Sequence, residues 1–219
     1  MKEEIRSHRG LVTLRGSRVV KQNDVLKEKN AHTLVFAHRL AREALKPVGV
    51  DVRQYKVVQG RRPKINPKNA SLFDSENNFF LVSKQLVPTE TSRTYFKHMH
   101  EHWVENKPYC GPCESCRKHK ADYDKISGPL VAILKKAGFT PASLDIGPNN
   151  AMFTANGVTL IEVLDEDHIK INPDAEKDFD KHFGRETAEK MRTIMQEYRE
   201  KMAEIDKRRV ERLRQQGIE

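Results

Sequence analysis

Long hydrophobic runs are missing from this sequence. No stretch approaches the ~18 apolar residues that a membrane-spanning helix needs. The opening MKEEIRSHRG leads into no apolar segment of the kind that marks a signal peptide. A cytoplasmic protein with no membrane partner is therefore expected. Cysteine is scarce: three in 219 residues, all between positions 110 and 116. A disulfide scaffold needs spread, paired cysteines, so that class is excluded. Hydrophobic residues make up 37% and aromatics 7%, against an ordinary apolar share of about 45–50%. No Walker-type loop, no G-x-G-x-x-G and no Ser/His/Asp arrangement is present, which leaves NTPase, dinucleotide and triad-hydrolase chemistry without support. Internal repeats and low-complexity segments are absent too.

Charge is what the sequence has in quantity. Charged residues make up 32%, and 40 Lys/Arg against 31 Asp/Glu give a net charge of +9, with a pI near 9.4. The excess is uneven. Residues 1–70 hold 17 Lys/Arg and 6 Asp/Glu; residues 141–180 hold 2 and 9. Such polarity suits a polyanion on one side of the molecule, and a nucleic acid is the expected partner. Three groups of cations are candidates to meet it: Arg15 and Arg18; Arg61, Arg62, Lys64 and Lys68; and Arg117, Lys118, Lys120 and Lys125. Contacts of this kind fix position on the phosphate backbone without reading sequence. Tyr55, Tyr109 or Tyr123 would add stacking on a single strand.

The pattern predicts a mixture of helices and strands. Residues 11–20 read as a strand pair or one strand kinked at Gly16. Residues 27–46 carry Leu34, Ala37, Leu40, Ala41, Ala44 and Leu45 at helical spacing, and Pro47 with Gly49 stops them. Asp51–Val58 and Phe79–Val82 read as strands, and 59–70 as a basic loop. A helix is expected over Thr91–Asn106, with Phe96, Met99 and Trp103 as its buried stripe. Ser127 looks like an N-cap, Pro129 an N1 residue and Gly138 a C′ residue, which predicts a short helix over 129–137. Residues 151–171 read as a hairpin or meander turning at Asn156-Gly157. From Glu186 to Gln216 neither proline nor glycine occurs, and Met191, Met195, Tyr198, Met202 and Ile205 follow 4-3-4-3 spacing. That predicts a long amphipathic helix, packed on its own domain or paired with a partner or a second copy.

The chemistry concentrates in residues 98–119, HMHEHWVENKPYCGPCESCRKH. Cys110, Cys113 and Cys116 stand at i, i+3 and i+6, with Gly111 and Pro112 shaping a turn. Zinc prefers four such ligands in a tetrahedron, as Cys₄ or Cys₃His in structural sites. One imidazole would close the shell. His102, on the last turn of the preceding helix, is the favoured ligand; His98, one turn earlier, and His119 are the alternatives. Four protein ligands leave no open position, so the site would be structural.

The C-G-x-C-x-x-C run resembles the cysteine cluster of the 7-cyano-7-deazaguanine synthases. Those enzymes also carry an SGGxDS-type ATP loop, which this sequence lacks, so their activity is not implied. Cys110-Gly111-Pro112-Cys113 resembles the thioredoxin tetrapeptide, but HWVENKPY precedes it instead of an apolar strand. The C-x₂-C-x₂-C spacing is similar to a ferredoxin motif without its fourth cysteine. Asp122 and Asp124, in DYDKISGPLVAILKKAG, resemble the metal-binding segment of RusA-type Holliday-junction resolvases. That resemblance implies a Mg²⁺-dependent nuclease, although the continuation FTPASLDIGPNNAMF departs from it.

Together these readings predict an α+β fold with a small mixed sheet, packed helices, a central zinc knuckle and a long C-terminal helix. Residues 1–183 would form a basic domain holding the knuckle at 98–119, and residues 184–219 the terminal helix. The expected function is that of a zinc-stabilised, nucleic-acid-binding accessory or regulatory protein. The alternatives are a resolvase-like nuclease using Asp122 and Asp124, and a protein-interaction factor of the transcription or replication machinery acting through the C-terminal helix.

Overall fold

The computed structural model describes residues 2–7, 10–15, 17–22, 28–60, 78–103, 105, 107–108, 113–164 and 171–215. The fold is mixed α+β, with two sheets where one was expected. The larger is antiparallel, in the order β1-β2-β3-β6-β5, from β1 (Lys2–Ser7), β2 (Gly10–Arg15), β3 (Arg18–Gln22), β5 (Lys56–Gly60) and β6 (Asn78–Lys84). The smaller runs β4-β8-β7, from β4 (Val50–Val52), β7 (Ala151–Thr154) and β8 (Gly157–Leu160), with β4 parallel to β8. The 11–20 region is a strand pair, closed by the opposition of Arg15 and Arg18; Gly16 itself lies outside the described residues. Strand β1, with the charged sequence KEEIRS, was not expected.

The single strand predicted over 51–58 is two strands in two sheets. The chain leaves the small sheet at Val52 and joins the large one at Lys56. Side-chain alternation cannot show such a change of partner. Two backbone-directed bonds fix the crossing: the Arg53 N–H donates to the Leu160 carbonyl (2.8 Å) and the Tyr55 hydroxyl to the Ile161 carbonyl (3.2 Å).

Helix α1 (Glu28–Leu45) is the centre of the core. Its buried face includes Ala31, Leu34, Ala37, Leu40, Ala41, Ala44 and Leu45, the periodic positions of the sequence. Each fully buried leucine contributes roughly 1.5–3 kcal/mol. Gly49, at φ +73°, ends the Lys46–Val48 turn as expected.

Helix α5 (Arg185–Gln215) lies along α1. Met191, Met195, Met202 and Ile205 are buried, and Tyr198 is half-buried, edge-on to Phe36 with centroids 5.7 Å apart. Lys29–Asp206 (3.0 Å), Arg39–Glu197 (2.5 Å) and Arg208–Glu28 (2.7 Å) pair across the two helices. The apolar seam of the terminal helix thus faces its own chain. A short helix, α4 (Phe179–Phe183), precedes it and buries Phe179. Among the described residues no helix is long and apolar enough to cross a membrane.

Helix α3 (Glu114–Lys136) overturns the helix expected over 129–137. It runs through Pro129 without a break. Its buried face, Cys116, His119, Tyr123, Leu130 and Leu134, continues on both sides of the proline. Lys125, Gly128 and Pro129 are all exposed, so the Lys125 carbonyl that loses its helical donor lies on the solvent side. Ser127 is not a cap: its hydroxyl donates back to the Asp124 carbonyl (3.1 Å). The C-terminal end is as expected. Gly138 has φ +96°, and a Cβ there would come within 2.8 Å of the Asn172 carbonyl oxygen. In the β7–β8 hairpin Thr154 opposes Gly157. The turn is therefore Ala155-Asn156, one residue earlier than predicted. Residues 165–170 of the expected meander lie outside the described set.

Candidate metal centre

Two helices bring the site together. Helix α2 (Glu90–Trp103) buries Ser92 and Tyr95. Phe96 and Met99 of the predicted stripe are only half-buried, so the face against α3 is rotated from the one expected. His98, one turn beyond Tyr95, is carried on that rotated face. On the other side, Cys113 is the N-cap of α3, and its Sγ accepts the Cys116 N–H at 3.4 Å. That is where a helix has unsatisfied N–H groups and a partial positive charge, so an anionic acceptor suits the position. Cys116, in the first turn, is buried.

His98, Cys113 and Cys116 place their ligand atoms within 4.8 Å of one another. The Nδ1 atom of His98 lies 3.4 Å from the Cys116 Sγ and 3.5 Å from the Cys113 Sγ. Tetrahedral metal–ligand bonds of about 2.3 Å to sulfur and 2.0–2.1 Å to nitrogen impose an N···S separation of about 3.6 Å. Both contacts match it. A neutral imidazole nitrogen offers a single hydrogen or a single lone pair, whereas one cation between the three atoms uses both contacts. Two thiols and an imidazole suit a soft or borderline transition metal, and not Mg²⁺ or Ca²⁺. The arrangement can hold a metal ion.

The other histidines are placed differently. His102, the favoured ligand by sequence, is not in this group; its Nδ1 lies 3.0 Å from the Lys107 carbonyl. His100 Nδ1 is 3.6 Å from the Glu105 carboxylate. His119 is fully buried beneath the site. Its Nε2 donates to the Pro148 carbonyl (2.9 Å) and its Nδ1 accepts from the Ser92 hydroxyl (3.2 Å). The Ser92 oxygen in turn accepts the Phe153 N–H (3.0 Å). The ring stacks on Tyr95, with centroids 4.0 Å apart. Both nitrogens are used in the neutral form, and burial lowers the pKa below its ordinary value. His119 therefore clamps α2, α3 and β7 together beside the cysteines. Only its i+3 spacing from Cys116 hinted at a shared face. Cys110 lies outside the described residues.

The remaining candidates are spread over the surface. Arg117, Lys118 and Lys120 are exposed on α3, immediately after the cysteines. Arg18 is exposed at the start of β3, and Arg15 ends β2. Arg61, Arg62, Lys64 and Lys68 lie outside the described residues. Asp122 and Asp124 stand two positions apart on α3, about 200° around its axis, and so point to different faces. Lys125 donates to Asp122 at 2.8 Å and holds its carboxyl below the usual range. No family model matches the chain, and neither does any curated protein.

Proposed function

We propose that this chain is a zinc-stabilised nucleic-acid-binding protein. Cys110, Cys113, Cys116 and His98 hold the ion, with His98 taking the place expected for His102. The observation that carries this reading is the single imidazole nitrogen set 3.4 and 3.5 Å from two thiol sulfurs. With four protein ligands the centre is structural, tying the end of α2 to the start of α3. The cations that follow it, Arg117, Lys118 and Lys120, are exposed; Lys118 feels the Asp122 carboxylate one turn on, and none of the three makes an ion pair among the described residues. The net charge of +9 supports phosphate as what they meet.

Two measurements test the reading together. Metal analysis of the dialysed chain is expected to find about one zinc per molecule, lost in Cys113→Ser and in His98→Ala. Binding to an oligonucleotide is expected to weaken linearly in log K against log salt. A metal-free chain that folds fully, or a chain whose nucleic-acid affinity ignores salt, overturns the proposal.

A further inference from the structure

The register of the large sheet sets cations in a row. Lys2 opposes Arg15, Arg15 opposes Arg18, and Arg18 opposes Lys84. Directly opposed residues share a face by register, so four strands in succession carry a positive residue at the same register level; of these, Arg18 and Lys84 are exposed. With strands about 4.8 Å apart, the row spans about 14 Å. Two residues along each strand, the same register face takes Glu4, Thr13, Val20, Val82 and Lys56; beyond that it takes Arg6, Leu11, Gln22, Phe80 and the exposed Val58. Lys2, Arg6, Arg15, Arg18, Lys56 and Lys84 thus share the face with one acid, Glu4.

The burial pattern shows which face this is. Val19, Phe79, Leu81 and Ser83, which alternate with the residues of this face, are buried, Phe79 and Leu81 within the core cluster that α1 also lines. Arg18, Lys56 and Lys84 are exposed. Among the described residues none of these three makes an ion pair or a side-chain hydrogen bond. Along α5, by contrast, Arg185, Lys190, Arg192, Arg199, Lys201 and Arg208 each have a carboxylate partner. Like charges directly across strands repel. A sheet that keeps Arg18 opposite Lys84, with Lys56 on the same face and no carboxylate paired to any of the three among the described residues, is complementary to a partner that supplies negative charge.

We infer that the outer face of the five-stranded sheet is a docking surface for the phosphate backbone of a nucleic acid. This rests on the nucleic-acid reading above and moves the main contact from the cations of α3 to the row across β1, β2, β3 and β6. A backbone with regularly spaced charges matches a row of regularly spaced cations, and the contact is independent of base sequence.

The test measures binding of a labelled mixed-sequence single-stranded oligonucleotide and its duplex by fluorescence anisotropy, over roughly 50 to 200 mM salt. It compares the full chain with an Arg18→Gln/Lys56→Gln/Lys84→Gln variant and with an Arg117→Gln/Lys118→Gln/Lys120→Gln variant. The sheet variant is expected to lose roughly tenfold or more in affinity at the low-salt end, and its log–log salt slope to fall by about 2–3. Its melting temperature is expected to stay level or rise, because repulsion is relieved. The single substitution Lys84→Gln, expected to lower the slope by about 1, serves if the triple variant does not fold. Loss in the α3 variant with an unchanged sheet variant overturns this inference and leaves the proposed function standing. No binding by the full chain overturns both. Tighter association with phosphatidylserine vesicles or polyglutamate than with either oligonucleotide also overturns it, assigning the face to a membrane or an acidic protein.

Discussion

His119 shows what burial does to one titratable side chain. Its two nitrogens are committed to the Ser92 hydroxyl and the Pro148 carbonyl, and the ring is fully buried against Tyr95, where a charge is poorly solvated. Burial is the largest influence and lowers its pKa; the Pro148 carbonyl and Asp122 pull it partly back. The unfolded chain binds a proton near the ordinary value of about 6.5, and the folded chain only at lower pH. His119 therefore contributes its full stability above about pH 6.5, and that contribution falls as pH drops through the folded pKa. An NMR titration is expected to place its midpoint below the ordinary value; a midpoint at or above it contradicts the neutral assignment. His32, where burial and Lys201 act in the same direction, changes stability with the same sign.

Helices α2 and α3 decide the site at the scale of elements. They meet in layers: Ser92 and Tyr95 against His119, then His98 against Cys113 and Cys116. The layers require α3 to begin at Cys113 and to be held along its whole length. Pro129 separates the two accounts of that helix. Were it the first residue of a short helix, its fixed φ would be an asset, and Pro129→Ala would be neutral or destabilising. In the continuous helix it removes an interior hydrogen bond, against a smaller gain from restricting the unfolded chain. Pro129→Ala is therefore expected to stabilise the protein by about 1–2 kcal/mol, measured by urea unfolding.

At the scale of the whole molecule, α5 belongs to the core. Met191 is fully buried in the cluster that also holds Leu40 and Leu45. Met191→Ala is expected to cost about 2–5 kcal/mol. Removing the exposed Lys29–Asp206 pair by Asp206→Asn is expected to cost less than about 1 kcal/mol. Equilibrium unfolding of the two variants checks the contrast; similar costs would mean that the terminal helix is held by charge and not by packing.

The periodic elements and the available chemistry were legible in the order of residues alone. The apolar spacing of α1 and α5, the glycine at 138 and the thiol cluster are local features, because propensity, φ preference and ligand chemistry act over a few residues. Everything that depends on what lies opposite was set by packing across the fold. That packing split 50–60 between two sheets, carried α3 through Pro129, and set His98 instead of His102 beside Cys113 and Cys116. A histidine every second residue on α2 offers several imidazoles to the same neighbourhood. Which one meets the sulfurs depends on how α2 rolls against α3, and burial of Tyr95 and His119 sets that roll. The cation row of the sheet is of the same kind: Lys2, Arg15, Arg18 and Lys84 are far apart in the chain, and only strand register brings them into line.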